Sequence, residues 1–173
     1  MSDSAVLQLQ LIHEISRLLS HAQIRHWLFG GWSVDFHVGV VTREHGDLEF
    51  FIWEHDGSLA GDLLDAAGYQ LVDHPHLEEA SIWRKNGQIV ELYLLAVNAQ
   101  GEVAVQGRWN RWPLPEHSLG SEIRIVDGVP CPVVSTECIL GTKQGYAQYT
   151  GIPLREKDRA DVMALRRALE SAQ

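Results

Sequence analysis

The sequence has no apolar run long enough to span a bilayer, and its first residues lack the basic stretch and apolar core of a signal peptide. We therefore expect a cytoplasmic protein with no membrane partner. The two cysteines, Cys131 and Cys138, are too few for a disulfide framework and lack the spacing of a zinc site. We interpret them as buried thiols.

Basic residues are scarce, since 14 Lys and Arg stand against 23 Asp and Glu, which gives a net charge of −9. A nucleic-acid surface needs clustered Lys and Arg, so this balance argues against a nucleic-acid partner. It is compatible with a cationic small substrate attracted by an acidic cleft. With 173 residues, 45% of them hydrophobic, the chain fits one domain with a sizeable core.

One stretch, FGGWSVDFHVGVVTREHGDLEF at 29–50, contains most of the candidate functional residues. Gly30 and Gly31 follow a short buried strand and precede a helix, where close-approaching backbone amides and the helix dipole favour phosphate. On the next predicted strand, Asp47 and Glu49 point to the same face because successive side chains alternate. Two carboxylates this close repel each other unless a cation lies between them, and a hard divalent ion suits oxygen ligands. The pattern predicts metal-assisted chemistry on a nucleoside triphosphate.

A third acidic residue, Glu91, interrupts the apolar strand IVELYL, which follows an Asn86-Gly87 hairpin turn. A charge inside an apolar strand is costly to bury unless it is paired or bound to a metal. A site residue is therefore one interpretation of Glu91. An edge-strand glutamate that faces water is the other.

The string Gly-Gly-Trp-x-x-Asp, then Gly39, then Thr-Arg-Glu-His-x-Asp-x-Glu at 42–49, resembles a family signature. It is similar to that of the aminoglycoside 2''-O-nucleotidyltransferases and lincosamide nucleotidyltransferases, within the polymerase-β-like superfamily. The resemblance is close over residues 27–53. It implies an α+β nucleotidyltransferase fold, a mixed β-sheet flanked by helices. The single domain would comprise a mixed-sheet catalytic core at 1–134 and C-terminal helices at 135–173.

The resemblance also implies an activity, the transfer of a nucleoside monophosphate, AMP from ATP, to a hydroxyl of an aminoglycoside or lincosamide. Asp47 and Glu49 would hold two Mg²⁺ ions, and the strand of Glu91 would lie beside them. Glu91 would then complete the metal-binding carboxylates and act as general base. Gly30 and Gly31 would hold the β- and γ-phosphates. Relatives commonly carry Asp where this chain has Glu49 and Glu91, and the extra methylene moves a ligand oxygen by about an ångström.

The remaining candidate nucleotide-binding residues are Trp32, Thr42, Arg43 and Lys143. The guanidinium fork of Arg43 suits phosphate oxygens. Its alternative role is a structural ion pair with Asp35 or Glu44. By resemblance, Lys143 would reach the triphosphate from a C-terminal helix, whereas a lysine in such a position is otherwise a surface residue.

Two further residues of the stretch are expected to support the site. Asp35 is predicted to tie its helix to Arg43 or His45 rather than to contact substrate. His45 is predicted to orient Asp47 through a hydrogen bond. A second histidine pair, His74-Pro-His76, has no third ligand nearby and is predicted to be solvated.

The segment QGRWNRWPLPEHSLG at 106–120 is unusually aromatic. Trp109 and Trp112 either pack in the core or form a platform for a sugar-like or cationic ligand. Together with Glu116 they are the candidate wall of an acceptor site.

Two other functions remain open at this point. The chain could be a catalytically silent relative, a nucleotide-binding or antitoxin-like interaction protein. It could also be a hydrolase that uses His45 and Asp47 at a metal, although the sequence offers few further histidine ligands in register.

Overall fold

The computed structural model describes residues 1–73 and 79–171. The strands are β1 (His26–Phe29), β2 (Asp47–Trp53), β3 (Gln70–Val72), β4 (Ala80–Lys85), β5 (Gln88–Val97), β6 (Val103–Val105), β7 (Ile123–Val126) and β8 (Val129–Pro132). The helices are α1 (Asp3–His21), α2 (Gly30–Val38), α3 (Gly57–Ala66), α4 (Thr136–Thr150) and α5 (Glu156–Ser171). Within the described residues, no helix is both long enough and apolar enough to cross a membrane.

The larger sheet has the order β1-β2-β5-β4-β3, and β6 pairs with the end of β5. Strands β2 and β5 are parallel, whereas the other neighbouring strands are antiparallel. β7 and β8 form a separate hairpin. The predicted α+β fold with a mixed sheet and C-terminal helices is therefore confirmed.

The two faces of β2 bury different cores. Leu48 and Phe50 point to one face, where they join the core formed with α1, including Ile12 and Ile15. Phe51 points to the opposite face and packs in a second cluster with residues of α4 and α5. Because strand side chains alternate, Asp47 and Glu49 share the face of Phe51. The candidate carboxylates therefore face the C-terminal helices.

Most predicted elements agree with the structure to within about two residues, the usual uncertainty of element ends. Gly30 and Gly31 were predicted to precede the helix, but α2 begins at Gly30, so both glycines lie inside its first turn. Helix α3 packs through Ala60 and Leu64, which leaves Leu59 exposed. The two cysteine thiols are buried and free, as predicted. The histidine pair at 74–76 lies outside the described residues.

Candidate active site

The carboxylate-bearing residues lie on the two parallel strands at the centre of the sheet. In the pairing of β2 with β5, Glu49 lies opposite Glu91, and Asp47 lies opposite Ile89. Paired residues in neighbouring strands project to the same side of a sheet, so all three acids share one face. The expectation that the strand of Glu91 lies beside Asp47 and Glu49 is confirmed.

The carboxylate of Glu49 packs directly against the backbone of Gly30. A β-carbon added to Gly30 would collide with Oε2 of Glu49, so the absence of a side chain at this position makes the contact possible. Burial, together with the nearby charges of Asp47 and Glu91, raises the pKa of Glu49 to about 7, against the opposing effect of Lys143 and Lys157. Glu49 is therefore a carboxylate held among like charges in a desolvated place.

Glu91 accepts a hydrogen bond from the hydroxyl of Tyr93, with 2.7 Å between the Tyr93 oxygen and Oε2. Tyr93 lies two residues further along β5, on the same face, and its ring contacts Phe51 edge-to-face. This hydrogen bond fixes the direction of the Glu91 carboxylate. Sequence reasoning missed Tyr93, although its spacing from Glu91 on an alternating strand was the available signal.

The acidic side chains are not preassembled around one point. Over residues 1–73 and 79–171, no three His, Cys, Asp or Glu side chains are grouped closely enough to hold a metal ion. The strand register brings the acids together, and the side-chain conformations keep their oxygens apart.

Asp35 anchors the loop that leads into β2. Its side chain is fully buried, accepts a hydrogen bond from the Thr42 hydroxyl at 2.5 Å, and lies 2.7 Å from Nε2 of His45. The predicted tie between Asp35 and His45 is thus present. The prediction that His45 orients Asp47 was wrong, because its Nε2 is committed to Asp35 and its Nδ1 lies close to Gly31.

The indole of Trp32 belongs to the core rather than to an open surface. Trp32 is 1% exposed, its Nε1 donates to Gln8, and its ring lies 4.7 Å from that of His45. Gln8 in turn donates to the carbonyl of His45. In this conformation a ligand would meet the backbone of Trp32 and not its side chain.

A chain of ion pairs joins this loop to the C-terminal helices. Arg43 makes a two-pronged contact with Asp161, with both N–O distances at 2.8 Å. Lys143 of α4 bridges Asp161 at 2.8 Å and Asp158 at 3.1 Å, and Arg155 also bonds to Asp158. The partner of Arg43 is therefore Asp161, which is 118 residues away in sequence, and neither Asp35 nor Glu44 provides the ion pair that was anticipated.

The two aspartates of this network are buried yet ionised. Burial opposes ionisation of Asp161, but hydrogen bonds from Arg43 and Lys143 outweigh it and hold the pKa of Asp161 below its usual range. Asp158 behaves in the same way through Arg155 and Lys143.

A cavity of about 300 Å³ opens beside Glu49, between the sheet, the segment after β6, and helices α4 and α5. Gly30, Glu49 and Tyr93 line its sheet side. Lys143, Arg155 and Asp158 line the side formed by the C-terminal helices. A cavity with convergent polar groups at one end and apolar walls elsewhere is the usual form of a small-molecule site.

Trp109 and Trp112 both line this cavity, so the aromatic segment contributes a wall. Glu116, the third residue proposed for that wall, has a side chain that is 89% exposed and lies near His117 instead. Glu79 supports this wall: it is buried, and its Oε2 accepts a hydrogen bond from Nε1 of Trp109 at 3.0 Å. Glu79 also pairs with Arg108 at 2.9 Å.

The family model described as aminoglycoside-2''-adenylyltransferase matches residues 11–165. The chain belongs to this family of antibiotic adenylyltransferases. It is an enzyme family that moves an adenylyl group, which implies ATP as co-substrate. The resemblance carried by residues 27–53 is thereby confirmed.

Individual relatives are distant in sequence. A lincosamide resistance protein of Staphylococcus haemolyticus is 25% identical over 168 residues, covering 96% of this chain and 98% of the relative. A 2''-aminoglycoside nucleotidyltransferase of Escherichia coli is 32% identical over 75 residues, or 42% of each chain. A lincosamide resistance protein and an aminoglycoside nucleotidyltransferase are therefore both similar to this chain.

Two solved structures share the fold. The crystal structure of ANT(2")-Ia in complex with adenylyl-2"-tobramycin has a TM-score of 0.73 at 18% identity, covering 96% of this chain and 90% of that one. The lincomycin-bound lincosamide adenylyltransferase LnuA has a TM-score of 0.67 at 20% identity, covering 88% of this chain and 92% of the other. The nucleotidyltransferase fold of this family member is thus shown.

Proposed function

We propose that the chain transfers AMP from ATP to a hydroxyl of a small molecule, an aminoglycoside or a lincosamide. The single observation that supports this most is the register of Glu49 with Glu91, with Asp47 two residues earlier on the same face, beside a ligand-sized cavity. Neighbouring acids at one end of a pocket are suited to handling a polyphosphate through divalent cations.

The donor set fits Mg²⁺ in chemistry. Asp47, Glu49 and Glu91 offer only carboxylate oxygens, and the raised pKa of Glu49 reflects, after burial, two neighbouring negative charges that a cation would offset. These three residues would hold the ions. Bound Mg²⁺ supplies charge stabilisation to the attacking and leaving oxygens of an in-line displacement.

The transfer step forms one bond and breaks one. The acceptor hydroxyl oxygen attacks the α-phosphorus of ATP, the bond from that phosphorus to the bridging oxygen breaks, and pyrophosphate leaves. Glu91 takes the hydroxyl proton as general base, and Tyr93 keeps its carboxylate aimed. The acceptor would lie in the cavity beside these two residues.

The triphosphate would be held by groups around Gly30. The amides at the start of α2, including those of Gly30 and Gly31, are donors of the kind that bind phosphate. Lys143 and Lys157 act electrostatically on Glu49, which supports a cationic side to the same site. For Lys143 the proposal requires that a phosphate share or replace its contacts with Asp158 and Asp161.

A pyrophosphate-release screen with several nucleoside triphosphates and a panel of antibiotics tests this function. The wild type should release pyrophosphate with ATP and a suitable acceptor, and Asp47→Ala should abolish the release. The matched control is Asp62→Ala, which removes an exposed carboxylate from α3. Binding of Mg²⁺ and ATP without pyrophosphate release across the panel would favour a silent nucleotide-binding protein instead.

A further inference from the structure

The acceptor wall is built from aromatic rings that touch one another. Trp109 and Trp112 have ring centroids 5.1 Å apart, Trp112 stacks on Tyr149 at 4.9 Å, and Trp109 stacks on Tyr146 at 6.4 Å. All four rings line the cavity. Such a wall offers broad apolar faces that can bind a flat or alkyl-bearing ligand at low entropic cost.

The carboxylates available to a ligand in this cavity are few. Among the described residues that line it, the acidic ones are Glu49 and Asp158. Asp158 is already paired with Lys143 and Arg155. Glu49 belongs to the proposed metal site. A ligand with several ammonium groups would therefore bring charges that find no unused carboxylate, which is costly in a partly desolvated pocket.

Positive charge, in contrast, already surrounds the aromatic wall. The guanidinium of Arg108 lies 5.1 Å from the ring centre of Trp109, that of Arg111 4.7 Å from Trp112, and that of Arg155 5.7 Å from Tyr146. Arg108 is paired with Glu79 and does not line the cavity, whereas Arg155 and Lys143 do, so the lining carries as many cations as carboxylates. The acidic surplus of the whole chain is thus not concentrated where the acceptor would bind.

We propose that the acceptor is a hydroxyl compound with an apolar face and at most one positive charge, bound on the wall of Trp109, Trp112, Tyr146 and Tyr149. This inference rests on the proposed function and selects, within it, against polycationic aminoglycosides. One ammonium can be accommodated by the remaining aromatic surface, whereas several cannot.

The test compares a monocationic lincosamide with polycationic aminoglycosides as acceptors at fixed ATP and Mg²⁺. We expect kcat/KM for the monocationic acceptor to be at least about tenfold higher, the ratio that a single unfavourable charge contact produces. Calorimetric binding of each acceptor to the nucleotide-free protein should show the same order. A preference for the aminoglycosides would overturn the inference and leave adenylyl transfer intact.

Substitution of the wall provides the second arm. Trp112→Ala should raise the acceptor KM by about tenfold, Trp112→Phe should recover part of the loss, and the KM for ATP should stay unchanged in both. Trp53→Ala, which lies at the end of β2 outside this cavity, serves as the control. A rise in the KM for ATP alone would assign the wall to the adenine base and overturn the inference.

Absence of pyrophosphate release with every acceptor would refute the proposed function, while acceptor calorimetry would still decide the charge preference.

Discussion

The carboxylate of Glu49 occupies the place that the β-carbon of any other residue would take at Gly30. Gly30 also has a φ of +68°, in the left-handed region that favours glycine. Two independent constraints, one steric and one conformational, therefore act at the residue where the proposed phosphate-binding turn meets the carboxylates. The two can be separated experimentally.

Gly30→Ala should lower kcat/KM by about 100-fold or more, because a displaced Glu49 would misplace a proposed metal ligand by roughly an ångström. Gly39→Ala is the matched control: Gly39 has a φ of +87°, and an added β-carbon there meets no atom within 4 Å. Both variants carry the backbone strain of roughly 1–2 kcal/mol, so strain alone does not distinguish them. Equal losses of activity would show that the contact is unimportant.

Glu49 also makes stability depend on pH. Its pKa rises from 4.5 to about 7 in the folded protein, so between these values the folded state holds more protons than the unfolded state. The free energy of unfolding should therefore fall as pH rises from 4.5 to about 7, and this component should be flat outside that window.

Urea unfolding of the wild type and Glu49→Gln over this pH range measures the effect. The neutral glutamine should remove the Glu49 component, so the difference in stability between the two proteins should grow as pH rises. A difference that does not change with pH would mean that Glu49 is ionised normally in the folded protein.

Much of the site follows from local sequence. Alternation along β2 places Asp47 and Glu49 on one face, and the Asn86-Gly87 turn defines the hairpin that carries Glu91. Those features depend on residues close together in the chain. The pairing of β5 with β2 came from the family resemblance, since periodicity within a strand does not determine which strand lies beside it.

The parts that were missed depend on distant residues. Arg43 finds Asp161 across 118 positions, and Glu79 finds Trp109 across 30. The type of a charged residue shows which bonds it can form, but its partner depends on how distant segments pack together. For Arg43, that partner is set by the packing of α5 on the core. The assignment of His45 to Asp47 failed for a different reason: Nε2 of His45 bonds to Asp35, the nearby partner that the sequence also suggested.

Arg43→Gln should destabilise the fold by about 2 kcal/mol, because Asp161 is only 2% exposed and would keep Lys143 as its remaining cation. Thermal unfolding and urea titration provide the measurement. The control is Arg159→Gln, an exposed position of α5, the helix that carries Asp161. This variant should change stability little.

The same variant separates two roles of Arg43. If its task is structural, the apparent kcat should fall in proportion to the loss of folded protein and recover at low temperature, while the KM for ATP stays unchanged. A large rise in the KM for ATP in fully folded Arg43→Gln would show that the guanidinium also contacts phosphate, as the family resemblance implies.

Glu79→Gln should weaken the aromatic wall without touching the carboxylates. The buried carboxylate accepts from Trp109 and Arg108, and an amide can replace only one of its two acceptor oxygens. We expect a loss of about 1–3 kcal/mol in stability and a higher acceptor KM at unchanged KM for ATP. Glu54→Gln, an exposed glutamate just after β2, is the comparison; an unaltered acceptor KM in Glu79→Gln would show that Trp109 holds its position without this bond.

The most direct measurement of the central claim is the stoichiometry of products in a single reaction. Pyrophosphate and adenylylated acceptor, the latter identified by mass spectrometry, should appear in equal amounts with the wild type. Both should be lost together in Asp47→Ala, Glu49→Ala and Glu91→Gln. Pyrophosphate formed without modified acceptor, or wild-type yields from any of these three variants, would contradict the assignment of the site.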